Sequence, residues 1–174
     1  MYIKVGEYMK FEKIIEKLGS FISEFVDEIN PDIEIGFDNY AYCYTDEPYI
    51  AVGLYTADNE IDKLHENYYK ENGFDFTEFG ISFRTFTLLH EIGHIETITT
   101  ETEESEHYAK QEEINDNVKL NGEPINDTLL KYFNLPLEIL ADKWAWNYLK
   151  ENIFKIKIFD NIFKKLIEKL KESE

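Results

Sequence analysis

The chain has 174 residues, of which 43% are hydrophobic and 31% are charged, a composition typical of one compact domain with its own buried core. Lysine and arginine total 18 against 36 for aspartate and glutamate, so the formal net charge is −18. This charge repels nucleic-acid phosphates and anionic membranes, and we therefore expect no direct binding to nucleic acid or to a membrane. It could instead steer a basic protein partner toward the chain or imitate DNA, although a solvated acidic surface is its most common meaning.

Cys43 is the only cysteine, which excludes an intramolecular disulfide and favours a reducing compartment. We expect its small side chain to be buried. The N-terminus has no long apolar stretch behind a basic start, and no window approaches the roughly 20 apolar residues that span a bilayer. The sequence therefore predicts a cytoplasmic protein, and residues 1–174 should form a single domain because no segment resembles a linker.

The first third of the chain predicts a helix followed by a small sheet. Apolar residues recur at three- and four-residue spacing from Met9 to Ile29, which indicates an amphipathic helix that Asn30 and Pro31 end. Three short β-prone stretches then alternate with turn residues between positions 33 and 54. This pattern predicts a three-stranded antiparallel meander.

Downstream, the pattern becomes mainly helical. We expect a helix that closes at Gly73, and Ser82 is a candidate N-cap for another helix that runs through His94. The segment 96–116 holds eight acidic residues and one lysine, and most of it is predicted to be an exposed connection. Two further helical patterns follow, over residues 137–148 and 159–170.

His90, Glu91 and His94 form the pattern His-Glu-x-x-His. Residues four apart lie on the same face of a helix, so both imidazoles can reach one zinc ion, while Glu91 flanks the metal where a bound water would sit. The neighbouring residues are uncharged, as in a helix that runs through the core and exposes only its metal-binding face. The sequence predicts that His90 and His94 bind zinc and that Glu91 is the catalytic base. Two histidines in an ordinary helix are the alternative interpretation.

A catalytic zinc usually has three protein ligands and a water, so a third ligand is needed. Thr97 and Thr100 stand where the extended metzincin pattern has glycine and histidine, which disfavours that class. Glu138 and Asp142 share a helical face, so Glu138 could bind the metal and Asp142 could accept the second ring proton of a ligand histidine. The alternatives are His107 as the ligand, although its surroundings suggest a solvated segment, and two solvent-facing charges at positions 138 and 142.

The motif at 90–94, followed by Glu-x-x-Ala-Asp-x-x-Ala at 138–145, resembles the ImmA/IrrE family of intracellular metallopeptidases. More loosely, it resembles the thermolysin-type gluzincins, and the resemblance covers mainly residues 40–150. It implies zinc-dependent hydrolysis of a protein substrate, with phage and stress-response repressors as the expected class and a helix-turn-helix protein as the partner.

The expected fold is α+β and zincin-like. A small antiparallel sheet from residues 33–54 should pack against the helix of His90 and His94, and the helix of Glu138 should cross to complete the site. One edge strand could bind an extended substrate by main-chain pairing. The alternative function is an acidic, catalytically silent zinc-binding interaction protein. It fits less well because a structural zinc needs no glutamate beside its ligand and normally closes all four positions with cysteine or histidine.

Several aromatic residues are assigned packing roles. His65 is expected to be a partly buried helix residue, and Trp144 and Trp146 should pack on helices. The tyrosines at 40, 42 and 44 should share one face of a strand. An oxyanion-stabilising side chain cannot be chosen from the twelve tyrosines by sequence.

Overall fold

A computed structural model describes residues 5–38, 41–53, 60–98, 101–121 and 125–172. These residues form seven α-helices, one short 3₁₀-helix and a three-stranded sheet, which confirms the α+β class. In chain order the elements are α1 (Val5–Asp27), β1 (Glu34–Asp38), β2 (Tyr42–Tyr44), β3 (Tyr49–Gly53), α2 (Glu60–Glu71), a 3₁₀-helix (Phe76–Phe79), α3 (Phe83–Thr97), α4 (Glu101–Asn121), α5 (Ile125–Phe133), α6 (Pro136–Glu151) and α7 (Ile153–Lys171).

The helix predicted from Met9 begins earlier, at Val5, and ends at Asp27 before the proline. Its inward face carries Leu18, Ile22 and Val26, all fully buried, and α1 packs on α7. Within the described ranges, no helix is both long enough and apolar enough to cross a membrane.

The sheet is mixed, so the prediction of an antiparallel meander is wrong. The strand order is β1-β3-β2, with β1 parallel to β3 and β2 antiparallel to it. The most apolar strand takes the central position, since Ile50 and Ala51 are fully buried and Val52 is 5% exposed. A central strand is buried on both faces, whereas β1 and β2 carry polar and half-exposed residues that suit an edge.

The segment predicted as an exposed connection, residues 96–116, is largely helical because α4 occupies positions 101–121. Glutamate, lysine and glutamine are good helix formers, so acidic composition alone does not indicate a loop. The helix α5, which the sequence pattern did not predict, follows it and packs against it. The consequence for the site is that His107 lies on an ordered helix.

Helices α3 and α6 form the most extensive contact between described elements, and they approach closely at Gly93. A Cβ atom at position 93 would lie 2.7 Å from the carbonyl oxygen of Ala141, so only glycine allows this approach. Ala141 and Ala145 are fully buried on the facing side of α6. The apolar residues predicted to lie on the inner face of α6 are buried or partly buried, except Leu140, which is 42% exposed. Close packing of these two helices brings the two halves of the predicted site together.

Candidate metal centre

The start of α3 is fixed by a side-chain cap and by a contact with α7. Ser82 is the N-cap, as predicted, and its hydroxyl accepts a hydrogen bond from the backbone N–H of Thr85. Buried Asp160 on α7 accepts hydrogen bonds from the backbone N–H of Ser82 at 3.0 Å and from the Thr85 hydroxyl at 2.8 Å. A carboxylate at a helix N-terminus also interacts favourably with the helix dipole. The first turn of the helix that carries both histidines is therefore held in place.

Three predicted ligands meet at one point. His94 Nε2 lies 3.0 Å from His90 Nε2, and Glu138 Oε2 lies 3.1 Å from His90 Nε2 and 3.5 Å from His94 Nε2. A tetrahedral zinc with bonds of 2.0 to 2.1 Å separates its ligand atoms by about 3.3 Å. The three observed separations bracket that value. His90, His94 and Glu138 thus form a group that could bind a metal ion.

Asp142 supports one of these ligands. Its Oδ1 atom lies 2.7 Å from His90 Nδ1, so the carboxylate accepts the ring proton of that nitrogen and leaves Nε2 free to face the shared point. Asp142 is 1% exposed and lies one helical turn after Glu138. This is the role predicted for Asp142 from its spacing.

The charge of the buried cluster favours a cation. Glu138 is 2% exposed and Asp142 1% exposed, and the ion pairs described for them involve only histidines. Although burial opposes the shift, contacts with His107, His90 and His94 hold the pKa of Glu138 well below its usual range. Despite its burial, His90 has a pKa well above its usual range, because both carboxylates favour its protonated form. A bound metal ion would supply the positive charge that these buried carboxylates require.

Glu91 lies beside the ligand group and is 8% exposed. Burial raises the pKa of its carboxyl group, while the charges of His90 and His94 oppose the shift. The Cys43 thiol hydrogen-bonds to Glu91. The pKa of the thiol is raised, mainly because the group is buried and secondly because the negative charge of Glu91 is near. Cys43, predicted to be buried, is only partly buried, and it lines the cleft from β2.

His107 lies on α4, and its side chain lines the cleft beside the ligand group. Its side chain is 11% exposed, and its Nε2 atom lies 3.2 Å from Glu138 Oε1, whereas His90 and His94 approach Oε2. The solvated surroundings predicted for His107 are confirmed for Ser105, Glu106, Lys110 and Glu112, which are exposed, whereas the His107 ring itself is mostly covered. Glu138 remains the residue whose Oε2 atom approaches both ligand histidine nitrogens, while its Oε1 atom pairs with His107. Among the described residues, His107 Nδ1 has no hydrogen-bond partner. Helical spacing in α4 could not reveal this contact, because it joins two helices.

A cleft of about 230 Å³ opens onto Glu91, His94 and Glu138. The edge strand β2 forms one wall of the cleft and α4 the other. Thr45, after β2, hydrogen-bonds to Glu104 of α4. The pKa of the Tyr132 hydroxyl lies well above its usual value, mainly because the group is buried and secondly because the charge of Glu138 is near. The side chains of α4 and α5 that sequence analysis did not assign to the site are Glu104, Tyr108, Gln111 and Tyr132.

The residues assigned to packing lie mostly as expected. His65 stacks on Phe133 with ring centroids 4.0 Å apart and an interplanar angle of 6°. Trp144 and Trp146 are partly buried against the core. Tyr42 and Tyr44 lie on one face of β2, with ring centroids 5.5 Å apart, whereas position 40 is outside the described residues.

Comparisons of the chain with models of protein families, with curated proteins and with solved structures found no match. The assignment of function therefore depends on the residues of the site: two histidines, three buried carboxylates and the cleft that reaches them.

Proposed function

We propose that the protein is a zinc-dependent metallopeptidase of the gluzincin type with a zincin-like fold. The observation that carries the proposal is the convergence of His90, His94 and Glu138 within bonding distance of one point, with Glu91 beside them. Two imidazoles and one carboxylate suit zinc, because catalytic zinc sites usually have three protein ligands that bind through nitrogen or oxygen. Three protein ligands leave a coordination position for water or substrate, as hydrolysis requires.

Zinc held there would polarise a scissile carbonyl group and lower the pKa of water. Glu91 then acts as the general base, taking a proton from the attacking water and passing it to the leaving amine. Burial raises the pKa of Glu91, which makes its carboxylate a stronger base than a solvated glutamate. His107 and Tyr132 line the same cleft and are the side chains suited to donate hydrogen bonds to the developing oxyanion.

The cleft favours an extended peptide as the substrate. β2 is an edge strand and forms one wall, so its main chain offers hydrogen-bonding groups to an added strand. An unfolded or exposed segment of a protein therefore fits better than a compact small molecule. The resemblance to the ImmA/IrrE family extends this proposal to repressors with a helix-turn-helix domain, and the net charge of −18 suits such basic partners.

The decisive variant is Glu91→Gln. The amide keeps the shape of the side chain but cannot accept the proton of water, so we expect unchanged zinc content and loss of peptide hydrolysis by at least about 100-fold. Zinc content is measured by elemental analysis and hydrolysis by mass spectrometry of an unstructured protein such as casein. The matched control is Glu96→Gln, an exposed glutamate on the last turn of the same helix, which should cleave like the wild type. Equal cleavage by wild type and Glu91→Gln would contradict the proposal.

A catalytically silent interaction protein is the second candidate, favoured by the strongly acidic chain. That hypothesis expects zinc binding and stable capture of a basic partner without proteolysis. Incubation of the zinc-loaded wild type with casein and with a helix-turn-helix repressor separates the two functions. New termini in either protein support the peptidase, whereas intact partners in a stable complex support the interaction protein.

A further inference from the structure

The outer face of the sheet bears three neighbouring tyrosines. Tyr42 and Tyr44 of β2 and Tyr49 of β3 point away from Cys43, which lies on the inner face and contacts Glu91. The ring centroids of the three tyrosines are 5.5 to 6.5 Å apart. Together they form an aromatic floor on the side of the sheet that faces away from α3.

Glycine at position 36 makes room for this floor. A Cβ atom there would lie 1.9 Å from the Tyr49 hydroxyl oxygen, so the ring of Tyr49 covers the backbone of β1 only because no side chain is present. On the other side, the Tyr42 hydroxyl reaches across the sheet and donates a hydrogen bond of 3.1 Å to Asp38. Tyr42 and Tyr49 therefore each have a contact with β1 that fixes the ring on this face of the sheet.

A cavity of about 880 Å³ lies on this face. The tyrosines form its aromatic part, and carboxylates and one proline complete the lining. The described lining residues include no lysine, arginine or histidine, and they are Asp32, Glu34, Tyr42, Tyr44, Asp46, Glu47, Pro48 and Tyr49. Carboxylates next to aromatic faces form a setting that attracts a cationic side chain, because ring quadrupole and negative charge act in the same direction.

This cavity adjoins the metal cleft. Tyr42 and Tyr44 line both, so the two spaces meet along the free edge of β2. An extended peptide that pairs with β2 would point alternate side chains to opposite faces, one set toward the metal ligands and the other toward the tyrosines.

We propose that the tyrosine cavity is a specificity site for a lysine or arginine side chain of the extended substrate. The inference rests on the proposed peptidase function and names its substrate class: segments with a basic residue at a position directed to the outer face of the sheet. Asp46 and Glu47, in the turn after β2, supply the charge nearest the end of the strand. Tyr44, 52% exposed, supplies the accessible ring.

The test measures peptide binding without requiring hydrolysis. Fluorescein-labelled peptides of alternating threonine and valine carry lysine, arginine, glutamine or glutamate at one central position, and anisotropy reports their binding to zinc-loaded Glu91→Gln protein. We expect lysine and arginine peptides to bind about 5- to 10-fold more tightly than the glutamine peptide. The double variant Asp46→Asn/Glu47→Gln and the variant Tyr44→Leu should each remove most of that difference.

The control for general charge attraction is Glu112→Gln/Glu113→Gln, which removes the same charge from two exposed positions on α4. It should keep the preference for basic peptides. Equal affinity for the lysine and glutamine peptides, or an equal loss in the control variant, would overturn the inference. Wild-type cleavage of all peptides regardless of charge would overturn it while supporting the peptidase. Charge-selective binding without any cleavage would support the cavity while contradicting the proposed hydrolysis.

Discussion

Replacing Gly93 by alanine tests whether the contact between α3 and α6 builds the metal centre. The added Cβ would lie 2.7 Å from the Ala141 carbonyl oxygen, about 0.7 Å short of ordinary van der Waals contact, which begins near 3.4 Å. The obstacle is backbone, so the helices must move apart. Glu138 and Asp142 flank Ala141 on α6 and would move with it. Metal–ligand distances tolerate only about 0.2 Å, so we expect zinc affinity to fall at least about 10-fold.

The effect on stability should be smaller than the effect on the metal. Overpacking costs about 1–3 kcal/mol, but alanine gains about 1 kcal/mol of helix propensity over glycine. The net loss in the metal-free protein is therefore about 0–2 kcal/mol, measured by urea unfolding, while zinc affinity is measured by competition with a chromophoric chelator.

The matched control is Gly19→Ala on α1. Its Cβ would lie 3.3 Å from a ring carbon of Phe37, a side chain that can adjust, and no ligand lies on that helix. Zinc affinity should remain that of the wild type, and the free energy of unfolding should change by less than about 1 kcal/mol. If Gly93→Ala binds zinc as tightly as Gly19→Ala, the close approach of α3 and α6 does not determine the metal site.

Further variants test the ligands and the surrounding ring system. Glu138→Ala should weaken zinc binding most, Asp142→Asn about 10- to 100-fold, and His107→Ala about 10-fold or less, because His107 contacts only the second oxygen of Glu138. Dye competition measures this order, and a larger loss at His107 than at Glu138 would make His107 the third ligand. The pKa of His65 is lowered to about 3, mainly because the side chain is buried and secondly because of the charge of His90. Since the unfolded chain takes up this proton below pH 6.5, the histidine should cost the metal-free protein about 2 kcal/mol of stability at pH 5 relative to pH 7. His65→Phe, which keeps a ring on Phe133, should lose that part of the pH dependence in urea titrations, and an unchanged slope would contradict the shift.

Local sequence features were enough to predict the histidine pair and its support. Four-residue spacing places His90 and His94 on one face, and the same spacing places Glu138 and Asp142 together, whatever the rest of the fold does. Ser82 as N-cap likewise follows from local chemistry, because its hydroxyl satisfies a free N–H group of the first turn. Helical geometry is a short-range property, so these predictions needed no tertiary information.

Tertiary structure decided the features that depend on contacts between distant segments. Strand order followed from which strand could be buried on both faces, so β3 rather than β2 became central. The position of His107 required α4 to pack across the cleft, which its acidic sequence did not indicate. The close contact at Gly93 and the tyrosine cavity arise in the same way. Periodicity predicts which face of an element is apolar, whereas partners of those faces are set by the packing of the whole chain.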